Sequence, residues 1–212
     1  MKPSKNALII VDLQNDFMPF GALPTKDGDE VIEVANRLIP KFDVVVASQD
    51  WHPADHGSFA SHYAGKSAGD HVKLAGVDQI LWPDHCVQGT KGAQFVEGLL
   101  TSDIDKIFQK GVDPNIDSYS TFFDNAHKRD TGLHQYLKEH FVKDVYVLGL
   151  ATDYCVKFSV LDALHLGYNT YVIVDGCRAV NLFPDDSEKA FAEMDWAGAR
   201  LTTSDEFLAS VP

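Results

Sequence analysis

The chain is short of cysteine, of basic residues and of long apolar runs, and each shortage removes a class of protein. Three cysteines among 212 residues, Cys86, Cys155 and Cys177, are odd in number and far apart. That pattern argues against a disulfide framework and for reduced thiols in a reducing, cytoplasmic compartment. Lys and Arg number 18 against 31 Asp and Glu, a net charge of −13, and no run of basic residues interrupts the acidity. Such a surface repels phosphate backbones and anionic lipid headgroups, so neither nucleic acid nor a membrane is an expected partner. The first apolar run, 7–11, is halted by Asp12, too soon for a signal segment or a membrane span. No internal repeat, low-complexity tract or linker is visible. With 45% apolar and 23% charged residues, one globular domain is expected.

What is present begins with short apolar, β-branched runs at 7–11, 44–47, 104–108, 145–150 and 170–174. Being continuous rather than alternating, they read as strands of a parallel sheet buried on both faces. Helical spacing lies between them: Val31, Val34, Ala35 and Leu38; then Leu133, Tyr136, Leu137 and Phe141; then Val156, Val160, Ala163 and Leu164. This alternation predicts an α/β fold. A further helix opens at Pro184-Asp185-Asp186 and turns Ala190, Phe191 and Met194 inward, proline and carboxylates both suiting a first turn. A short strand near Arg200-Leu201 and a last helix close the chain. The stretch 50–103 is different, rich in His, Gly, Asp and Pro, with helical spacing only at 94–100. Long irregular segments inside compact domains are usually functional, so it is expected to be a metal- and substrate-binding insertion.

In open parallel sheets the ligand crevice lies at the carboxyl ends of the strands. Polar residues directly after apolar runs are therefore the first candidates: Asp12, Asp50, Lys110 and 153–155. Taken singly, Asp12 reads equally as a turn or helix cap, Lys110 as a solvated lysine and Cys155 as an inert core thiol. Cys155 stands out because Val147-Leu148-Gly149-Leu150-Ala151-Thr152-Asp153-Tyr154-Cys155 puts a thiol in the first turn of a helix, with Thr152 or Asp153 as cap. Unpaired N–H groups and the helix dipole there favour a thiolate and can receive an oxyanion. Asp50 and His52, two apart on an extended segment, project the same way, and His85 in Trp82-Pro83-Asp84-His85 is the distal third ligand of a metal site. His56 is held in reserve. This mixed oxygen and nitrogen set suits one divalent ion, Zn, Fe or Mn, with open positions.

Together the segments Val11-Asp12-Leu13-Gln14-Asn15-Asp16-Phe17, Asp50-Trp51-His52-Pro53, Trp82-Pro83-Asp84-His85-Cys86-Val87, Lys110-Gly111 and Gly149-Leu150-Ala151-Thr152-Asp153-Tyr154-Cys155-Val156 resemble the isochorismatase-like cysteine hydrolases. Within that family they are most similar to the nicotinamidase group, which also converts pyrazinamide. The resemblance spans nearly the whole chain. It implies a three-layer α/β/α fold with a six-stranded parallel sheet and a catalytic triad of Asp12, Lys110 and Cys155. It further implies a cis peptide between Leu150 and Ala151, with the N–H groups of Ala151 and Cys155 as the oxyanion hole. Phe17, Trp82, Tyr119 and Gln14 are then expected at the substrate ring, whose nitrogen the metal receives. The implied partner is nicotinamide, in NAD salvage, with homo-oligomerisation left open. A sibling amidohydrolase on a ureido or carbamoyl substrate would share the triad but typically lacks the Asp-x-His plus distal His set. Isochorismatase itself works without the cysteine. A non-catalytic thiol sensor would have little use for a complete triad.

Overall fold

The computed structural model describes residues 5–211. Its centre is a sheet of six parallel strands: β1 (Lys5–Val11), β2 (Val44–Asp50), β5 (Lys106–Lys110), β6 (Val142–Leu150), β7 (Asn169–Arg178) and β8 (Arg200–Thr202). The remaining two, β3 (His71–Leu74) and β4 (Val77–Ile80), form a separate antiparallel hairpin. In the main sheet the order is β5-β2-β1-β6-β7-β8, so the chain winds outward one way from β1 through β2 and the other way from β6. The reversal between β1 and β6 opens a crevice at their carboxyl ends.

Helices cover both faces. α1 (Glu30–Leu38) packs with α5 (Ser204–Ser210), and α3 (Lys157–His165) packs with α4 (Asp186–Trp196), while α2 (Leu133–Glu139) lies against β6. The expected helical rows supply the buried contacts: Val31, Ala35 and Leu38 from α1, Leu133 and Leu137 from α2, Val160 and Ala163 from α3, Ala190 and Met194 from α4. β1 is buried on both faces from Ala7 to Val11, as a central parallel strand must be. The α/β/α architecture and the six-stranded parallel sheet expected from the sequence are both present.

Three local expectations fail, each for a physical reason. The strand expected at 104–108 runs from Lys106 to Lys110, and it alternates exposed and buried residues because it is the sheet edge. The spacing at 94–100 makes no helix: Asn15 N–H donates to Gln94 O and Val96 N–H to Leu13 O, so this segment pairs with the chain leaving β1. Its apolar residues still pack, with Leu99 buried. Phe141, expected on the inward row of α2, follows the end of that helix at φ 62 and is half exposed.

The approach of β6 to β1 depends on Gly149. It pairs with Val11 at φ 128, and a Cβ built there would lie 2.1 Å from Val11 O. No side chain fits that gap without separating the two strands that carry Asp12 and Cys155. Gly149→Ala is expected to lower unfolding free energy by at least about 3 kcal/mol, combining overpacking with a disfavoured φ; urea denaturation measures it, and a loss under about 1 kcal/mol would contradict this account.

Candidate active site

Strand register brings the charged residues together. Lys110 ends β5 and pairs directly with Asp50, which ends β2, while Asp12 follows the last residue of β1. Asp12 sits in the left-handed region at φ 50, a conformation Asp tolerates better than most residues. Its Oδ1 accepts the Ser48 hydroxyl at 2.7 Å. Lys110 Nζ lies 2.8 Å from Asp12 Oδ2 and 2.5 Å from Asp50 Oδ1, and it donates to Ser118 O at 3.0 Å and to Cys155 Sγ at 3.3 Å. One ammonium therefore touches a carboxylate at the end of β1, a carboxylate at the end of β2 and the thiol beyond β6.

All of these groups are buried, and burial sets their protonation. It opposes the charge on Lys110, but Asp12, Asp50 and Cys155 together hold the ammonium well above the ordinary lysine range. Burial raises the Asp12 carboxyl, against the pull of Lys110. Burial also pushes the Cys155 thiol well above its usual range; Lys110 draws it down, while Asp12 and Asp50 push it up. Desolvation and two carboxylates thus oppose, at Cys155, the thiolate form that a helix terminus and Lys110 favour.

The local geometry around Cys155 departs from expectation. Thr152–Val156 forms a π-helical turn before α3, with Val156 N–H donating to Ala151 O at 3.1 Å. Neither Thr152 nor Asp153 caps it. Thr152 Oγ1 is buried without a hydrogen-bond partner, and Asp153 accepts the N–H groups of Val180 at 3.0 Å and Asn181 at 2.8 Å. Asp153 thereby ties the loop after β7 to the site, and Val180 lines the same cavity as Cys155. The Leu150-Ala151 peptide is cis.

That cavity brings together Cys155, Ala151, Asp50, His52 and His85 with the rings of Phe17, Trp82, Tyr119 and Tyr154. Gln14 does not reach it. Its amide donates to Asp50 O at 2.8 Å and Ala93 O at 2.9 Å and accepts Asp50 N–H at 2.8 Å, so it clamps the main chain of Asp50 instead. Four further lining residues, Leu23, Asp117, Tyr154 and Val180, were not singled out from the sequence. Tyr154 was visible as the neighbour of the thiol, whereas Asp117 lies in an irregular loop that carries no periodic signal.

Asp50, His52 and His85 fit a metal ion. His52 Nδ1 bonds Gly111 O at 2.9 Å and His85 Nδ1 bonds Pro83 O at 2.8 Å, which places the ring protons on Nδ1 and leaves both Nε2 lone pairs free. These Nε2 atoms stand 3.6 and 3.7 Å from Asp50 Oδ2, too far for hydrogen bonds. With metal bonds of about 2.1 Å a tetrahedral edge is about 3.4 Å, close to those separations. Parallel pairing of His52 with Val87 holds the two histidine segments side by side. His56, the reserve ligand, fits less well. Ser58 N–H donates to its Nδ1 at 3.2 Å, leaving the proton on a buried, unpartnered Nε2, and burial lowers its pKa to about 4.

The sheet order agrees with what the family model finds: the chain belongs to the isochorismatase family, with residues 6–206 matching the Isochorismatase domain. It is 53% identical over 201 residues to the nicotinamidase of Escherichia coli (strain K12), covering 93% of this chain and 94% of that protein. The solved structure of an Acinetobacter baumanii nicotinamidase pyrazinamidease superposes with a TM-score of 0.93 at 40% identity, covering 98% of this chain and 100% of that one. A pyrazinamidase of Pyrococcus horikoshii, solved in complex with zinc, superposes at 0.76 with 37% identity, over 94% of this chain and 99% of that one. Among the described residues no helix is long and apolar enough to cross a membrane.

Two measurements follow from this geometry. Gly111, at φ 65, faces His52 so closely that a Cβ would stand 2.3 Å from the ring. Gly111→Ala should therefore weaken metal affinity about ten- to a hundredfold in a chelator competition, and unaltered affinity would refute the role given to His52. Replacing Lys110 by Gln removes the group that lowers the Cys155 pKa, so the pH profile of Cys155 alkylation should move to higher pH. A profile moved downward would reverse that electrostatic reading.

Proposed function

We propose that the chain is a nicotinamidase, hydrolysing nicotinamide to nicotinate and ammonia, and pyrazinamide to pyrazinoate, in the salvage of NAD. The observation that carries this reading is the contact of Lys110 with Asp12, Cys155 and the candidate metal ligand Asp50, which joins amide-cleaving groups to a ring-nitrogen anchor. Residues 50–103 act as the metal- and substrate-binding insertion of a single catalytic domain. The three free cysteines agree with a reducing, cytoplasmic setting.

Asp12 takes the Cys155 proton as the thiol approaches the carboxamide, and Lys110 offsets the charge left on sulfur. Sulfur bonds to the carboxamide carbon, and the C=O electron pair moves to oxygen, facing the N–H groups of Ala151 and Cys155. Collapse of this adduct expels the amine, which leaves as ammonia with the proton from Asp12. Asp12 then removes a proton from water, whose oxygen displaces sulfur from the thioester; Asp12 returns that proton to the departing sulfur, and the acid leaves as its carboxylate after losing a proton to solvent. Phe17, Trp82 and Tyr119 enclose the flat ring. Asp50, His52 and His85 would hold one divalent metal, Zn, Fe or Mn, which would supply a Lewis-acid anchor for the ring nitrogen. The metal ligands favour nicotinamide over a ureido or carbamoyl substrate, which has no ring nitrogen to anchor.

Cys155→Ala should abolish ammonia release from nicotinamide with the fold intact, and substantial remaining turnover would sink the nucleophile assignment. Benzamide, which lacks the ring nitrogen, should be disfavoured by about a hundredfold in kcat/KM, because a site built for a polar partner rejects an analogue without it. Removing metal with a chelator should erase that preference. Equal rates on the two amides by the metal-loaded enzyme would exclude the anchor.

A further inference from the structure

Gln79 lies on the hairpin β3–β4, outside the main sheet and apart from the triad and the metal ligands. Its side chain is nevertheless buried, at 1% exposure, between the exposed Asp78 and the half-buried Ile80. Nε2 lies 3.0 Å from Asp117 Oδ2, 3.0 Å from Tyr119 Oη and 2.7 Å from Ile80 O, so two amide protons serve three acceptors. Asn125 Nδ2 donates to Oε1 at 3.4 Å, and Asn125 Oδ1 accepts the Tyr119 backbone N–H at 2.9 Å. The Tyr119 hydroxyl receives a second bond from Trp82 Nε1 at 3.1 Å, which holds the two rings nearly perpendicular, at 85° with centroids 6.4 Å apart.

Asp117, Tyr119 and Trp82 all line the cavity, so one amide from the hairpin holds three of its wall residues, directly or through a shared hydroxyl. We propose that Gln79 is a positioning residue that sets the width of the ring slot, acting through the Tyr119 hydroxyl on Trp82 and through its own bond on Asp117. This rests on the nicotinamidase reading of the cavity. Loss of the amide removes one of the two donors to the Tyr119 hydroxyl and the donor to Asp117 Oδ2 in a buried site, where an unmade hydrogen bond is costly, and loosens the hold on the rings. The ring is enclosed equally in substrate and transition state. Loosening the slot therefore weakens binding and raises KM while kcat holds.

The test uses metal-loaded enzyme. Gln79→Leu keeps the volume and removes the amide; KM for nicotinamide should rise about tenfold with kcat within about twofold and metal content unchanged. A parallel fall in kcat with unchanged KM overturns the proposal. Nicotinamide Kd is measured by calorimetry on the Cys155→Ala background, with Gln79→Leu, Tyr119→Phe and both together. Because Gln79 acts through the Tyr119 hydroxyl, the double variant should bind within about twofold of the weaker single variant. Losses that multiply, or an unchanged Kd in Gln79→Leu, overturn it. If Gln79→Leu fails to fold, Tyr119→Phe alone must weaken binding several-fold, and unchanged binding there also overturns it. Ammonia release by the wild type is scored separately. Its absence would refute the nicotinamidase reading, whereas the Kd series stands or falls on binding alone, and no binding to any of the proteins would refute the inference.

Discussion

The site depends on a single buried ammonium. Lys110 is 1% exposed, and a lysine charge at that depth persists only with compensating partners. It has two carboxylates, a backbone carbonyl and a thiol. The dependence runs in both directions, since without Lys110 the buried carboxylates of Asp12 and Asp50 would lack their counter-charge. Breaking such a pair typically costs about 3–5 kcal/mol, so the contact that prepares the chemistry also secures the carboxyl ends of β1, β2 and β5. The arrangement follows from the sheet order, because adjacent parallel strands deliver their last residues to one place.

Two carboxylates against one ammonium leave the ionised cluster with an excess negative charge, which a divalent ion on Asp50, His52 and His85 would offset. Asp50 faces both ways, offering Oδ1 to Lys110 and Oδ2 toward the histidines. Its backbone is clamped on both sides by Gln14. A residue shared between two charge systems has to be fixed in position, and the buried Gln14 amide is what fixes it.

The sheet and the site residues at strand ends were legible in the sequence because both obey rules with a period: continuous apolar runs for buried strands, and polar residues where those runs stop. Asp12, Asp50, Lys110 and Cys155 were found that way. Gln14 was misplaced because its position after the strand resembles theirs, and only the hydrogen bonds reveal that its amide turns toward Asp50 and Ala93. Dipole reasoning sees a helix terminus but not the depth at which the thiol lies, and that depth works against the thiolate. Asp117 and Gln79 were invisible for a different reason. Their meaning arises from the packing of a hairpin and a loop 38 positions apart, and no local pattern encodes such a meeting.

The hairpin β3–β4 supports the cavity wall from outside the sheet, whereas Asp12 and Cys155 stand just beyond the ends of β1 and β6. On the proposed reading, recognition and reaction are therefore carried by different segments of the chain. Changes in the length or composition of the irregular stretch can alter which ring is admitted while the central strands keep their register. The division lets descent with modification explore new amides on an unchanged scaffold, and it makes the excursion between β2 and β5 the part of the chain to graft or shorten when a different amide is wanted.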